Sequence, residues 1–298
     1  MQVLTESLCP CHRAGEGPQV TGRDGAPSGT RYAASGADAR RTASRYRCRV
    51  TVADPLAPLL DLADIAEALA GARDTVDAAL RHRALRRHGG PVAAEVSLRA
   101  AVASAALEGS VHERESVRAG TVTDPVVQGA LRVAEGIGGL VDLWPRAPRQ
   151  VLAKLHLLAA RGVVADDLLG RLTGGPETAA RLDALAGLVA GNDRTPPLLL
   201  AAVVHAELLA LRPFAGPAGV VARAAARLTL VGRGLDPRGL VGVEVGHLER
   251  QPEYVGAAGA YVTGTPDGVR SWLRHYVAAV EVGTAEIAVI GDAVLASA

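Results

Sequence analysis

The chain has 298 residues, of which 49% are hydrophobic and only 3% aromatic, and its formal net charge is +1. A core of closely packed Ala, Leu and Val suits helices better than a β-sandwich. The near-zero charge argues against nucleic acid or an acidic membrane as a partner. No run of 18 uncharged apolar residues occurs, so no membrane-spanning helix is expected.

Residues 1–46 are rich in Gly, Ser, Arg, Ala and Thr and have no periodic apolar positions. We expect this segment to be disordered or to be a non-native N-terminal extension. Cys9, Cys11 and Cys48 are too few and too near one end for a disulfide framework, which indicates a reducing, cytoplasmic location. The stretch Cys9-Pro10-Cys11-His12 has CxC spacing and no second cluster follows it, so no metal site is expected.

Residues 47–298 have the pattern of one helical domain. Apolar positions from Leu59 to Leu69 predict a first amphipathic helix, and a second is expected from about Ala72 to His88, before Gly89-Gly90. Further helices are expected at about 91–107, 124–143, 148–160, 176–190, 196–211, 218–233 and 268–290. The best candidate strand, VGVEV at 241–245, is short. The predicted fold class is therefore all-α.

The sequence RHRALRRH at 81–88 is the most basic cluster of the chain. It could bind phosphate. The alternative is that its charges are solvated and stabilise the C-terminal end of a helix.

Residues 205–223, HAELLALRPFAGPAGVVAR, predict a helix that stops at an Arg-Pro-Phe turn, a loop with two glycines and a second helix. A glycine loop that leads into a helix N-terminus presents free N–H groups and a favourable dipole to an anion. The stretch is therefore a candidate anion pocket.

This stretch resembles the motif of the Fic (Fido) family, HPFx(D/E)GNGRxxR. The matching residues are Pro213, Phe214, Gly219 and Arg223. Arg212 takes the place of the motif histidine and Gly216 that of the acidic residue. Ala218 and Val220 replace the asparagine and the first arginine.

A second stretch fits the same family. SAALEG, from Ser104 to Gly109, resembles the inhibitory helix pattern (S/T)xxxE(G/N), with Glu108 as the inhibitory glutamate in a helix of about 91–109. The resemblance covers roughly residues 55–290 and implies a multi-helix Fic-like domain. The family's flap, a β-hairpin ahead of the motif, is expected to be short or absent here, because residues 161–178 form strands poorly.

Fic proteins typically transfer AMP from ATP to a protein hydroxyl, a reaction that needs a base, Mg²⁺ and groups that hold the phosphates. Arg212 cannot act as the base, because a guanidinium stays protonated and has no acceptor. Gly216 offers Mg²⁺ no carboxylate. We therefore expect no catalytic residue, metal or cofactor, and we hypothesise that Glu108 and Arg223 form a partly buried, mainly structural ion pair.

Three functions remain open at this point. The first is a catalytically silent Fic-fold protein, a pseudoenzyme that acts as a regulatory or binding scaffold for an unknown protein partner. The second is a residual nucleotidyl or phosphoryl transferase that uses ATP and Mg²⁺ with rearranged residues; the candidates by type are Asp166, Asp167, His156 and Glu207. The third is an unrelated function, such as an oxidoreductase or a helical DNA-binding protein. His205 is either a substitute base or a buried residue that ties two helices together. The sequence does not indicate the oligomeric state.

Overall fold

A computed structural model describes residues 54–191 and 194–298, so the predictions for residues 1–46 and for the three cysteines lie outside the described residues. This part of the chain forms α-helices and no strand, which confirms the predicted all-α class. The helices are α1 Ile65–Ala79, α2 Gly89–Ala106, α3 Arg114–Arg118, α4 Pro125–Gly136, α5 Pro148–Ala160, α6 Pro176–Gly191, α7 Pro197–Leu211, α8 Ala218–Gly232, α9 Val243–Glu249, α10 Gln251–Val262 and α11 Pro266–Ala296. Short 3₁₀-helices are Ala57–Asp61, Arg83–Arg86, Ile137–Leu140 and Asp166–Leu168.

The most apolar segment of the sequence, α7, is the central helix of the fold. It is apolar on all sides, and every residue from Leu198 to Leu208 is buried, as expected of a helix enclosed by other helices. Proline at its first position suits a helix start, where the missing N–H costs no hydrogen bond. The Trp272 indole donates to the carbonyl of Ala202 at 2.9 Å and so joins α7 to α11.

Helix α8 packs antiparallel to α7 as the second arm of a buried hairpin. Its residues from Ala218 to Leu230 are all buried, and most of them are Ala, Gly or Val, so the two helices can approach closely. The 31-residue helix α11 packs against α1, α9 and α10. Helix α4 packs against both α2 and α5, and all three contact α8.

Two predictions about the secondary structure are wrong. In place of the two helices expected at about 59–69 and 72–88 the chain has one α-helix, α1 Ile65–Ala79, with the 3₁₀-helices Ala57–Asp61 before it and Arg83–Arg86 after it. Asp64, just before α1, has a left-handed conformation (φ 63°). The buried residues of α1, Ile65, Leu69, Ala72 and Val76, form one continuous stripe, so the helix has no reason to break at residue 71. The VGVEV candidate strand is helical from Val243 onward.

The basic cluster at 81–88 forms a turn and a 3₁₀-helix whose arginines are exposed. Arg83 and His82 both lie 3.5 Å from Asp292 of α11. The exposed arginines agree with a solvated basic face.

Candidate functional site

Two residues of the loop between α7 and α8, Arg212 and Gly216, have positive φ angles. Arg212 ends α7 with a φ of 43°, in the left-handed region, and its side chain is exposed. Pro213 and Phe214 are buried below it. Gly216 has a φ of 75°, which an L-residue rarely adopts. The loop therefore presents the Arg212 guanidinium to solvent.

His156 of α5 anchors this loop from below. Its ring stacks on Phe214 with centroids 4.8 Å apart. Nδ1 accepts the backbone N–H of Gly170 at 2.9 Å, so we assign the proton of the neutral ring to Nε2, which donates to the carbonyl of Ala215 at 2.8 Å. Burial lowers the pKa of His156 and so favours this neutral form. His156 thus connects the loop to residue 170.

The segment at 161–178 takes the place where a flap was expected. It contains an isolated bridge between Arg161 and Val164 but no strand, consistent with the predicted short or absent hairpin. The backbone N–H of Thr173 donates to the carbonyl of Pro213 at 3.0 Å. A Cβ at Gly216 would lie 2.7 Å from Cγ1 of Val164. The segment is therefore closely docked on the motif loop.

Glu108 lies in the turn that ends α2. Gly109 has a φ of 91° and allows the chain to leave the helix, and the N–H of Ser110 donates to the carbonyl of Ala105 at 3.0 Å. The turn directs the carboxylate of Glu108 towards α8.

The carboxylate of Glu108 occupies the N-terminal turn of α8. A Cβ on Gly219 would lie 2.1 Å from Oε1 of Glu108 and 2.8 Å from Nη1 of Arg223. Gly219 is thus a close-approach position that leaves room for both charged groups. An N-terminal helix turn favours negative charge, and here the chain's own carboxylate supplies it.

Arg223 holds that carboxylate and three further groups. Its Nη2 donates to Oε1 of Glu108 and to the carbonyl of Ser104, each at 2.8 Å. Nε donates to Oγ of Ser104 at 2.9 Å, and Nη1 donates to the Tyr254 hydroxyl at 3.2 Å. The side chain of Arg223 is 2% exposed and that of Glu108 is 20% exposed. The hypothesised partly buried ion pair is therefore present.

The charge on Arg223 survives its burial. Burial disfavours the guanidinium, but the neighbouring Tyr254 and Glu108 outweigh that effect and raise its pKa. Burial also raises the pKa of Tyr254, so its hydroxyl stays neutral. The group that meets Glu108 is thus a permanent cation fixed by four hydrogen bonds.

Two of the candidate residues for a residual transferase already have hydrogen-bond partners. Glu207 accepts from Nη2 of Arg181 at 2.7 Å and from the Tyr261 hydroxyl at 2.8 Å. His156 uses both ring nitrogens, as described above. Asp166 and Asp167 lie exposed in the short 3₁₀-helix of the docked segment.

His205 is fully buried, and its Nε2 lies 3.0 Å from the Tyr254 hydroxyl. Burial and the nearby Arg223 and His275 hold its pKa well below the usual range. This arrangement matches the interpretation of His205 as a residue that ties two helices together.

Sequence reasoning missed the role of Tyr254. It lies on α10, a helix that was not predicted, and its hydroxyl contacts both Arg223 and His205. Tyr254 and Tyr261 are seven residues apart and both buried, a spacing that places them on one helix face. That spacing was the available signal for a helix with a polar role.

In residues 54–191 and 194–298 no group of three His, Cys, Asp or Glu side chains is arranged to hold a metal ion. No helix in those same ranges is both long and apolar enough to cross a membrane.

Solved structures of Fic proteins share this architecture. A Fic family protein from Desulfovibrio desulfuricans G20 superposes with a TM-score of 0.64 at 19% identity, over 75% of this chain and 74% of that one. A fragment of Fic-1 from C. elegans gives a TM-score of 0.62 at 19% identity, over 81% and 76% of the two chains. A single-residue variant of that fragment gives 0.63 at 18% identity, over 78% and 74%. No family model and no curated protein matches the sequence. The chain therefore has the Fic fold.

Proposed function

We propose that this Fic-fold chain does not transfer AMP and acts as a regulatory or binding scaffold for a protein partner. The observation that carries the proposal is the carboxylate of Glu108 in the N-terminal turn of α8, held there by the buried Arg223. A nucleotide phosphate at that turn would meet negative charge and would have to break a charge-assisted hydrogen bond.

The substituted motif supports the same proposal. At the position where the resemblance implies a base, the chain has the exposed guanidinium of Arg212, which cannot accept a proton. Ala218 and Val220 are buried and apolar, so neither side chain offers a hydrogen bond to a phosphate. The polar side chains needed to hold Mg²⁺ and ATP are thus missing from the loop itself.

The docked segment at 161–178 supports a role without target modification. Its Thr173 N–H is bonded to the motif loop, and Val164 packs on Gly216. A target peptide that adds to this segment as a strand would need backbone N–H and C=O groups of the segment that have no other hydrogen-bond partner. We therefore expect a partner to bind elsewhere on the protein.

One observation favours the alternative of a residual transferase that uses ATP and Mg²⁺. Asp166 and Asp167 are exposed and follow Val164, which contacts the loop at Gly216. Gly216 is the position where the family motif has its acidic residue. A carboxylate from the docked segment could replace it.

The test is calorimetric titration of ATP into the full chain with and without Mg²⁺, at concentrations that detect a Kd up to about 1 mM. We expect no heat in either condition. Labelled ATP incubated with Glu108→Gly, which removes the blocking carboxylate, is expected to leave no label on protein. Glu135→Gly, a change at an exposed helix residue, is the matched control. Mg²⁺-dependent binding together with label transfer by Glu108→Gly would favour the transferase instead.

A further inference from the structure

A cluster of buried polar atoms lies next to Arg223. Four of them have no hydrogen-bond partner in the described part of the chain: Nδ1 of His205, Oε2 of Glu244, Nε2 of His247 and the hydroxyl of Tyr276. These residues come from α7, α9 and α11. Each is at most 5% exposed, so bulk water does not reach them.

The four residues line one small cavity, together with Arg223 and Arg227. The cavity has room for about one water molecule. The rings of His205 and His247 have centroids 4.9 Å apart, and the Tyr276 ring lies 6.0 Å from the first and 5.8 Å from the second. The three rings therefore pack together, and Glu244 lines the same cavity.

The hydrogen bonds around His205 fix which of these atoms donate. Arg223 donates to the Tyr254 hydroxyl, whose own proton we assign to Nε2 of His205. The neutral His205 ring then has its proton on Nδ1, which is a donor to the cavity. The carboxyl oxygen of Glu244 is an acceptor, and the Tyr276 hydroxyl serves as either.

His247 completes the set. Its Nδ1 lies 3.0 Å from Nε2 of His275, so the two rings share one proton between these atoms. When Nδ1 of His247 donates that proton, its Nε2 is an acceptor facing the cavity. The lining then offers donors and acceptors in the combination that a single water molecule satisfies.

We propose that this cavity is a specific binding site for one structural water molecule, which bridges His205, Glu244, His247 and Tyr276. Leaving several buried polar atoms unpaired in one place is costly, and native proteins usually satisfy such atoms with ordered water. A metal ion is disfavoured, because no three ligating side chains converge among the described residues. The water bridges residues of α7, α9 and α11 in a cavity that Arg223 also lines.

The sign of a stability change tests this proposal. Tyr276→Phe removes only the hydroxyl. If the hydroxyl binds water, the Tm of the full chain falls by about 2–4 °C. If it faces no partner, its removal leaves the Tm unchanged or raises it, and the proposal is overturned. Tyr254→Phe, which loses direct bonds to Arg223 and His205, is the control that lowers the Tm in both cases.

A crystal structure of the full-length wild-type chain decides the question independently, also if Tyr276→Phe does not fold. The proposal expects a solvent peak within about 3.2 Å of both the Tyr276 hydroxyl and Oε2 of Glu244. An anomalous signal from a metal at that point, direct protein contacts between the four groups, or no peak at all would overturn it.

Discussion

Replacing Glu108 by glutamine keeps the shape of the side chain and removes its charge. Nη2 of Arg223 would then donate to a neutral amide oxygen, while its bonds to Ser104 and the bond to Tyr254 remain. Hydrogen bonds to charged groups contribute about 1.5–3 kcal/mol and neutral ones about 0.5–1.5 kcal/mol. Because Arg223 is almost fully buried, we expect Glu108→Gln to cost about 1–2 kcal/mol.

Thermal and urea unfolding of the full chain measure this loss. The expected fall in Tm is about 2–8 °C. Glu135→Gln, an equivalent change at an exposed position of α4, should alter stability by less than about 0.5 kcal/mol. If both variants have the same Tm and urea midpoint as the wild type, the ion pair does not stabilise the fold, and the structural role argued for Glu108 is refuted.

Gly219 and the buried histidines give two further predictions. Gly219→Ala should destabilise the wild type by about 1–3 kcal/mol, although alanine favours helices, because its Cβ meets Glu108 and Arg223. In the Glu108→Gly background, the destabilisation caused by Gly219→Ala should be smaller by more than about 0.5 kcal/mol. Additive effects of the two changes on the free energy of unfolding would contradict this. Stability should also fall with pH below about 6.5, since burial lowers the pKa of His156, His205 and His247 and lowers that of His275 to about 4. These rings stay neutral when folded and become protonated when unfolded, so His275 alone contributes about 3 kcal/mol that is lost between pH 6.5 and 4. The raised pKa of Glu244 acts in the opposite direction but is one group against four. Urea midpoints that stay flat from pH 7 to 5 would contradict the prediction.

The central hairpin could be predicted because its signals are local. The apolar run at 198–211 begins at a proline and ends at Arg-Pro, and α7 extends from Pro197 to Leu211. Proline and glycine determine where a backbone can be helical, whatever surrounds it.

The VGVEV strand candidate failed because distant contacts decided its conformation. Alternating valines favour a strand locally, but Gly246 lies so close to α11 that a Cβ there would be 2.1 Å from the carbonyl of Ala279. The packing of α9 on α11 outweighs that local preference. No pattern within five residues contains this information.

The candidate site also has a part that could be predicted from the sequence and a part that could not. Glu108, Gly219 and Arg223 could be found from motif spacing, and the structure brings them together. His156 was a candidate by residue type only and Tyr254 was missed, because each reaches the motif from a helix elsewhere in the sequence, 31 or more residues from its main partner. Predicting such contacts requires the fold first.

Two hydrogen bonds hold the motif loop, one from the Thr173 N–H and one from the His156 ring, and neither depends on a side chain at its acceptor position. The acceptors on the loop are the main-chain carbonyls of Pro213 and Ala215, which every amino acid supplies. Side chains at these two positions can therefore change without loss of the hydrogen bonds that hold the loop. A loop held by its main chain can lose the side chains that a reaction needs, one at a time, and still keep its backbone conformation.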